Sequence, residues 1–392
     1  MITMSVIQNN APITIASDDQ LSLIEAQVDR LLDTIGVDLE DHAPSLEALR
    51  QLGARIDRNA QYGNADGEVQ KARVRIDGAA LREFVSDNAP GSFLWRGARP
   101  ETSLQIGDGQ KPAFLPVYGP PNVRLQDGSR ATGTIDIYRD LVMLCDDAKG
   151  LQSTGFMTCF VHGLSETETH LRMAEAHLAL SDKPFMGTVL SKDALIDVVS
   201  MMERPASMGE CNLVHLINVT PPLSYQKKPL ECLQAASERG ECSMVSSYMM
   251  MGATSPVTPI GAVIQGYAEI LIGLALSQVY RPGCPVVFGM YAMPFCMQNM
   301  IPIFGDPISS KVQLLAVQLA RRLGIPSRGD GGVTNAKIDD AQAGYDGAHA
   351  TFVAAHGGAD IILHSAGWAE GGRCTDMQKL IREGDMLHQL YG

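Results

Sequence analysis

The sequence predicts an α/β protein: a TIM (β/α)8-type barrel preceded by a mainly helical N-terminal cap region. Three observations carry this. From Tyr138 onward, short apolar runs alternate with longer stretches of helical spacing. Seven such runs, each followed by a helical stretch, are a number that fits a barrel better than an open doubly wound sheet. No GxGxxG or P-loop follows an early strand, although an open doubly wound sheet normally carries such a phosphate-binding turn. The runs are Gly155–Phe160, Phe185–Val189, Leu213–Val219, Ser243–Ser247, Pro285–Gly289, Ile325–Gly331 and Asp360–Ser365. Between them the spacing predicts helices over Glu166–Leu180, Lys192–Met202, Pro229–Glu238, Pro259–Tyr280, Ser309–Leu323 and Asp340–His356, with a last weak helix over Asp376–Leu387. Strand–helix repeats of this kind require parallel pairing with right-handed crossovers. An eighth strand is supplied by Phe114–Val117 or is absent from the chain.

Ahead of the barrel, residues 1–20 are expected to be disordered. Leu21, Ile24, Val28, Leu31, Leu32 and Ile35 recur at helical spacing, and Gly36 stops the helix. Ser45–Leu52 makes a second helix, Asn59–Gly67 a loop, Val74–Ile76 a short strand and Gly78–Asn88 a third helix. Two strands, Phe114–Val117 and Asn122–Leu125, flank Gly119–Pro120–Pro121. The organisation is thus a helical cap with short strands over 21–135 and a barrel over 136–392. Small and apolar residues on most faces of Pro259–Tyr280 predict that this helix is buried.

Composition narrows the partners. The chain has 392 residues, 45% of them hydrophobic, and a formal net charge of −13. An acidic surface repels phosphate, which argues against nucleic acid and against anionic membrane. The N-terminus lacks the basic and apolar segments of a secretory signal. The eight cysteines include no CxxC pair, so reduced thiols and a cytoplasmic location are expected. A homo-oligomer is expected as well.

Barrel enzymes work at the C-terminal ends of their strands. That rule nominates Tyr225 after the third run, Tyr248 after the fourth, Tyr291 and Phe295 after the fifth, Arg328 and Asp330 at the sixth, and His364 and Trp368 at the seventh. Ser246, Asn335, Cys296 and His162 lie at similar positions. The aromatics are either loop anchors or, if they converge, a cage for a quaternary ammonium. Asp330 would add negative charge, and Arg328 or His364 would pair with a substrate carboxylate. No side chain is nominated as catalytic. No metal of the chain's own is expected, because HExxH, HxH and CxxC are absent. A zinc-dependent barrel using His162, Cys296 and His364 is the metal alternative.

The stretch Asn218–Leu223 (NVTPPL), the segment MGATSPVTPIGAVIQGYAEILIGLALSQVYRPGCPVVFG over 251–289, and DAQAGYDGAHATFVAAHGGADIILHSAGWAEGG over 340–372 resemble the trimethylamine methyltransferase family, as does LLDTIGVDLEDHAPSLEALRQLGARID near the start. The resemblance covers most of residues 20–380. It implies a TIM barrel that takes a methyl group from a methylated amine and passes it to the corrinoid of a separate cognate protein, without S-adenosylmethionine. The family usually continues past the position of Gly392, so the barrel here is expected to lack the usual C-terminal segment. In the family's pattern the fifth strand leads to Asp-Met-Arg-Thr-Gly, where this chain has Cys296–Met300, and Thr-Asp-Ala-Lys stands where this chain has Thr334–Lys337. Two typical carboxylates are therefore replaced. The family's trimethylamine enzymes carry pyrrolysine and this chain has none, which turns the expected substrate toward a quaternary amine such as glycine betaine. The alternative is a diverged barrel that binds a betaine-like ligand or a corrinoid protein without turnover.

Overall fold

The computed structural model describes residues 11–58, 71–109 and 111–392; the expected loop over 59–67 and residues 1–10 of the expected disordered segment lie outside them. Seven strands form the central sheet: β1 (Ala113–Pro116), β2 (Met186–Gly187), β3 (Val214–Asn218), β4 (Cys242–Met251), β5 (Val286–Cys296), β6 (Ser327–Asp330) and β7 (Ile361–Ala366). Their spatial order is β2-β3-β4-β5-β6-β7-β1, and every pairing is parallel. Sequence neighbours are thus spatial neighbours, and the first strand returns to lie beside the last. The result is a mixed α/β fold built on a curled parallel sheet.

The run Gly155–Phe160 is not a strand. Residues 152–155 instead span the two sheet edges with three isolated backbone bonds: Gln152 N donates to Phe114 O (3.0 Å), Thr154 N to Pro184 O (3.3 Å), and Gly155 O accepts from Met186 N (2.9 Å). Side chains replace the missing ladder. His177 lies 2.7 Å from both Thr154 Oγ1 and Tyr138 Oη, and the Tyr138 hydroxyl donates to Phe156 O. The imidazole stacks on Phe185, and burial pushes its pKa down to about 3, so it serves as a neutral bridge.

The predicted helices form with bounds close to those read from the sequence. Hydroxyl and carboxylate caps start several of them: Ser17, Asp77, Ser191, Thr258, Asp306, Asp340 and Asp376 each accept from first-turn backbone N–H groups. Ile135–Asp147, which the sequence reading did not single out, is a further helix, capped by Thr134. The N-terminal region is mixed rather than mainly helical. Helices Asp18–Thr34, Ala43–Gln51 and Gly78–Asn88 accompany strands Val37–Glu40, Arg55–Asp57 and Lys71–Arg75. Ser224–Tyr225 adds to that small sheet in parallel with Val37–Glu40. β1 lies within the 21–135 stretch yet belongs to the central sheet.

Pro259–Tyr280 is long and apolar enough to span a membrane, but most of it is buried between the sheet and the N-terminal helices. Period-two alternation orients β4 against it. Val245 and Met249 lie against its glycines, and Ser247 donates to Glu269 on the same helix, so Ser246 and Tyr248 face the opposite way, into the sheet's concave side.

Glu269 is fully buried and also accepts from Leu223 N (2.6 Å) and Gln265 Nε2 (2.9 Å). Burial raises its pKa from 4.5 to about 7 despite these bonds. Between those values the folded state holds the proton more tightly than the unfolded chain. Stability from this residue therefore falls as pH rises through the window and is level above it. The loss amounts to about 3 kcal/mol. Denaturant unfolding at pH 5 and pH 7.5 is expected to show this slope in the native protein and to show it flattened in Glu269→Gln. Equal slopes in the two proteins would remove Glu269 as its source.

Candidate functional site

The register of the sheet assembles the site in layers. Ser246 lies opposite Gly289, and Gly289 opposite Arg328. One step toward the C-terminal ends, Tyr248 lies directly opposite Tyr291, with Asp330 following on β6 and His364 on β7. Inward-facing layers of this kind are what parallel strands in staggered register produce.

Four aromatic rings form the wall. Tyr248 and Tyr291 stack at 6.2 Å, Tyr291 and Phe304 at 6.2 Å, and Phe304 meets Trp368 at 5.0 Å. Trp368 is in turn edge-on to His364 at 4.5 Å. Tyr248 is the most open of these rings at 38% exposed, whereas Tyr291, Phe304 and Trp368 are buried. Two fixtures hold the wall. Asn335 accepts from Phe304 N and donates to Pro302 O (3.1 Å), and the Trp368 indole donates to Thr334 O (3.1 Å).

The polar layer is a buried ion pair. Arg328 donates to Asp330 and, at 3.2 Å, to Ser246 Oγ. The Asp330 backbone N–H is held by Gln313 Oε1 at 2.9 Å. Burial raises the Asp330 carboxyl above the usual range, and Arg328 opposes that rise. His364 adopts a left-handed backbone conformation (φ +59°). Its Nδ1 accepts from Tyr118 N at 3.1 Å, so its proton sits on Nε2, 3.6 Å from Asp330 Oδ1. Burial, reinforced by Arg328, pushes His364 well below its usual pKa and keeps it neutral. Two buried polar atoms here have no hydrogen-bond partner: Asp330 Oδ2 and Arg328 Nε. Unsatisfied polar atoms are costly in a folded chain, so two in one buried ion pair point to a ligand.

Of the residues nominated from the sequence, Tyr248, Tyr291, Arg328, Asp330, His364 and Trp368 come together. Tyr225 does not join them. It is fully buried, its hydroxyl donates to Glu269 O (2.9 Å), and it packs against Gly273 of the Pro259–Tyr280 helix. Phe295 lies at the end of β5, paired with Pro302 in a short hairpin, and makes none of the ring contacts. Phe304 is central to the wall but was missed. Its only signal was the short run Ile301–Phe304 before Gly305, a return strand too brief to read by periodicity. Among the described residues no three His, Cys, Asp or Glu side chains are grouped to hold a metal, so His162, Cys296 and His364 do not form a ligand set.

A neutral ion pair floored beneath aromatic faces suits a ligand that carries both a cationic and an anionic group. The comparisons with known proteins agree with that chemistry. The chain is 29% identical over 396 residues to the glycine betaine methyltransferase of Desulfitobacterium hafniense (strain Y51), covering 96% of this chain and 78% of that protein. It is 26% identical over 362 residues to the proline betaine:corrinoid methyltransferase of Eubacterium limosum, covering 86% and 72%. The crystal structure of the Methanosarcina barkeri monomethylamine methyltransferase superposes with a TM-score of 0.61 at 12% identity, over 97% of this chain and 76% of that one. The family model for trimethylamine methyltransferase (MTTB) matches residues 2–392, and the chain belongs to that family.

Proposed function

We propose that the protein is a corrinoid-dependent methyltransferase that takes a methyl group from a zwitterionic quaternary amine, with glycine betaine the first choice. The observation that carries this is the ring wall of Tyr248, Tyr291, Phe304 and Trp368 standing over the neutral Arg328–Asp330 pair. The trimethylammonium group lies against the rings, and the carboxylate takes up the unpaired Arg328 Nε–H deeper in the sheet. Asp330 Oδ2 faces the cationic end. This orientation leaves an N–CH₃ bond pointing out of the sheet.

The acceptor is a cobalt(I) corrinoid held by a separate cognate protein, which supplies the nucleophile. What this chain does is bind, orient and exclude water. In the transfer the N–CH₃ bond breaks, its electron pair stays on nitrogen, and a neutral tertiary amine leaves. No proton needs to move, so no side chain is assigned general acid–base work, and holding the bond in line accounts for the rate. Neither S-adenosylmethionine nor a metal of the chain's own enters this scheme. The hairpin tip beyond β5 exposes Met297 and Met300, Met297 and the exposed Val257 both lie near Gly252, and Phe304 follows two residues after the return strand Ile301–Pro302. That combination suits it to meet the corrinoid carrier.

In this reading the segment 152–155 closes the sheet as the eighth stave of a barrel over 113–392, with the residues before it forming a cap. Eight unpaired cysteines fit a reducing, cytoplasmic compartment. A homo-oligomer is retained as part of the proposal.

Calorimetric titration tests the site. Glycine betaine is expected to bind the native protein, and Tyr291→Ala to bind it more weakly by about 0.5–2 kcal/mol, the value of one cation–π face. Equal affinity in the two proteins would take Tyr291 out of the site.

A further inference from the structure

The last helix, Met377–Tyr391, carries an ion pair that the scheme above does not use. Lys379 and Glu383 lie one turn apart, and each is 1% exposed. Each also grips backbone elsewhere. Lys379 Nζ donates to Gly332 O at 3.0 Å, and Glu383 Oε2 accepts from Gly367 N at 2.9 Å. Gly332 follows β6 two residues after Asp330, and Gly367 lies three residues after His364 and just before Trp368. The pair therefore joins the loop that follows the polar floor on β6 to the loop that leads from His364 into Trp368.

The surroundings are shaped around the pair. A Cβ at Gly332 would stand 2.8 Å from Glu383 Oε1. Gly367 is in the left-handed region (φ +87°), which turns its N–H toward the carboxylate. From Gly332 the chain runs directly to Thr334, whose carbonyl receives the Trp368 indole N–H, so both ends of that bond hang from gripped backbone. Stability alone does not account for a buried pair, because apolar residues of similar volume often hold a fold equally well or better. What apolar residues cannot do is hold a carbonyl and an N–H on two separate loops.

We propose that Lys379 and Glu383 are positioning residues for substrate binding: through Gly332 and Gly367 they set the spacing between Asp330 and the His364–Trp368 wall. This rests on the betaine-site reading above. The decisive comparison is between the native protein and Lys379→Met/Glu383→Leu. Both are to be followed by glycine betaine titration, by unfolding midpoint and by the fluorescence of Trp368, isolated as the difference from matched Trp368→Phe proteins. The double variant is expected to fold, with an unfolding midpoint lowered by the Gly332 carbonyl and Gly367 N–H left unpaired. Its Trp368 emission should shift and become more accessible to acrylamide, and its dissociation constant should rise about 10- to 100-fold. Lys379→Met/Glu383→Gln, which restores an acceptor for Gly367 N–H, should recover part of the affinity. Unchanged emission, quenching and affinity in the double variant would overturn the proposal, as would a fall in unfolding midpoint with no change in affinity. If the double variant does not fold, the single Glu383→Gln is read by the same three measurements. If the native protein binds no betaine, the substrate reading fails, while the Trp368 signal still decides whether the pair positions the wall.

Discussion

Glycine betaine mixed with the protein and free cob(I)alamin is expected to yield methylcobalamin and dimethylglycine, and trimethylamine is expected to yield neither product of transfer. The difference lies in the leaving group. A quaternary nitrogen already carries its positive charge and departs as a neutral amine, whereas unprotonated trimethylamine would have to expel an amide anion. Protonation would cure that defect, but the resulting ion is a net cation. It would meet a site whose one central carboxylate, Asp330, is already paired with Arg328. A betaine brings its own carboxylate and keeps the buried charges balanced, which matters because an unbalanced charge in a low-dielectric interior costs several kcal/mol. The absence of pyrrolysine points the same way. The assay is spectroscopic, following loss of cob(I)alamin and appearance of its methylated form. Robust methylation from trimethylamine, or transfer that requires S-adenosylmethionine, would show the assignment to be wrong.

Arg328→Met is expected to be the most damaging single substitution in the site. It removes the partner of a fully buried carboxylate while leaving the carboxylate behind, a change that costs about 3–5 kcal/mol. Denaturant unfolding measures this directly. Asp330 would respond by holding its proton to higher pH, so the loss should be smaller in acid and grow as pH rises. Arg328→Met/Asp330→Asn removes both charges and is expected to regain most of the stability without regaining betaine affinity. A single variant as stable as the native protein would mean that the pair is not buried as described. A double variant that binds betaine normally would remove the pair from recognition.

Much of the architecture was legible in the chain because the physics is local. Helices such as Gly78–Asn88 and Pro259–Tyr280 announce themselves by apolar residues, by the capping residues Asp77 and Thr258 and by prolines just beyond their ends, and these act within a few residues of sequence. The same holds for β3, β4, β5 and β7, whose largely buried runs of mostly apolar residues mark the strands, whereas β6 is buried but polar. Because strand ends could be placed, Tyr248, Tyr291, Arg328, Asp330, His364 and Trp368 could be nominated before any coordinates.

What lay beyond the sequence was decided by contacts between distant segments. Gly155–Phe160 reads as a strand, yet side chains from Tyr138 and His177, together with one backbone bond to the β1 edge and two beside β2, hold residues 152–156 without a ladder. Tyr225 and Tyr248 look alike as aromatics at strand ends. Which one faces the site depends on strand parity and on where the chain turns, and Tyr225 is drawn outward by Glu269, 44 positions away. Phe304 enters the wall only because a four-residue turn folds it back onto β5. The composition of each strand therefore determined that a parallel α/β sheet would form and which residues would sit at its functional edge. Only the tertiary packing decided which of those side chains converge, because convergence is set by hydrogen bonds and ring contacts between residues that have no fixed spacing along the chain.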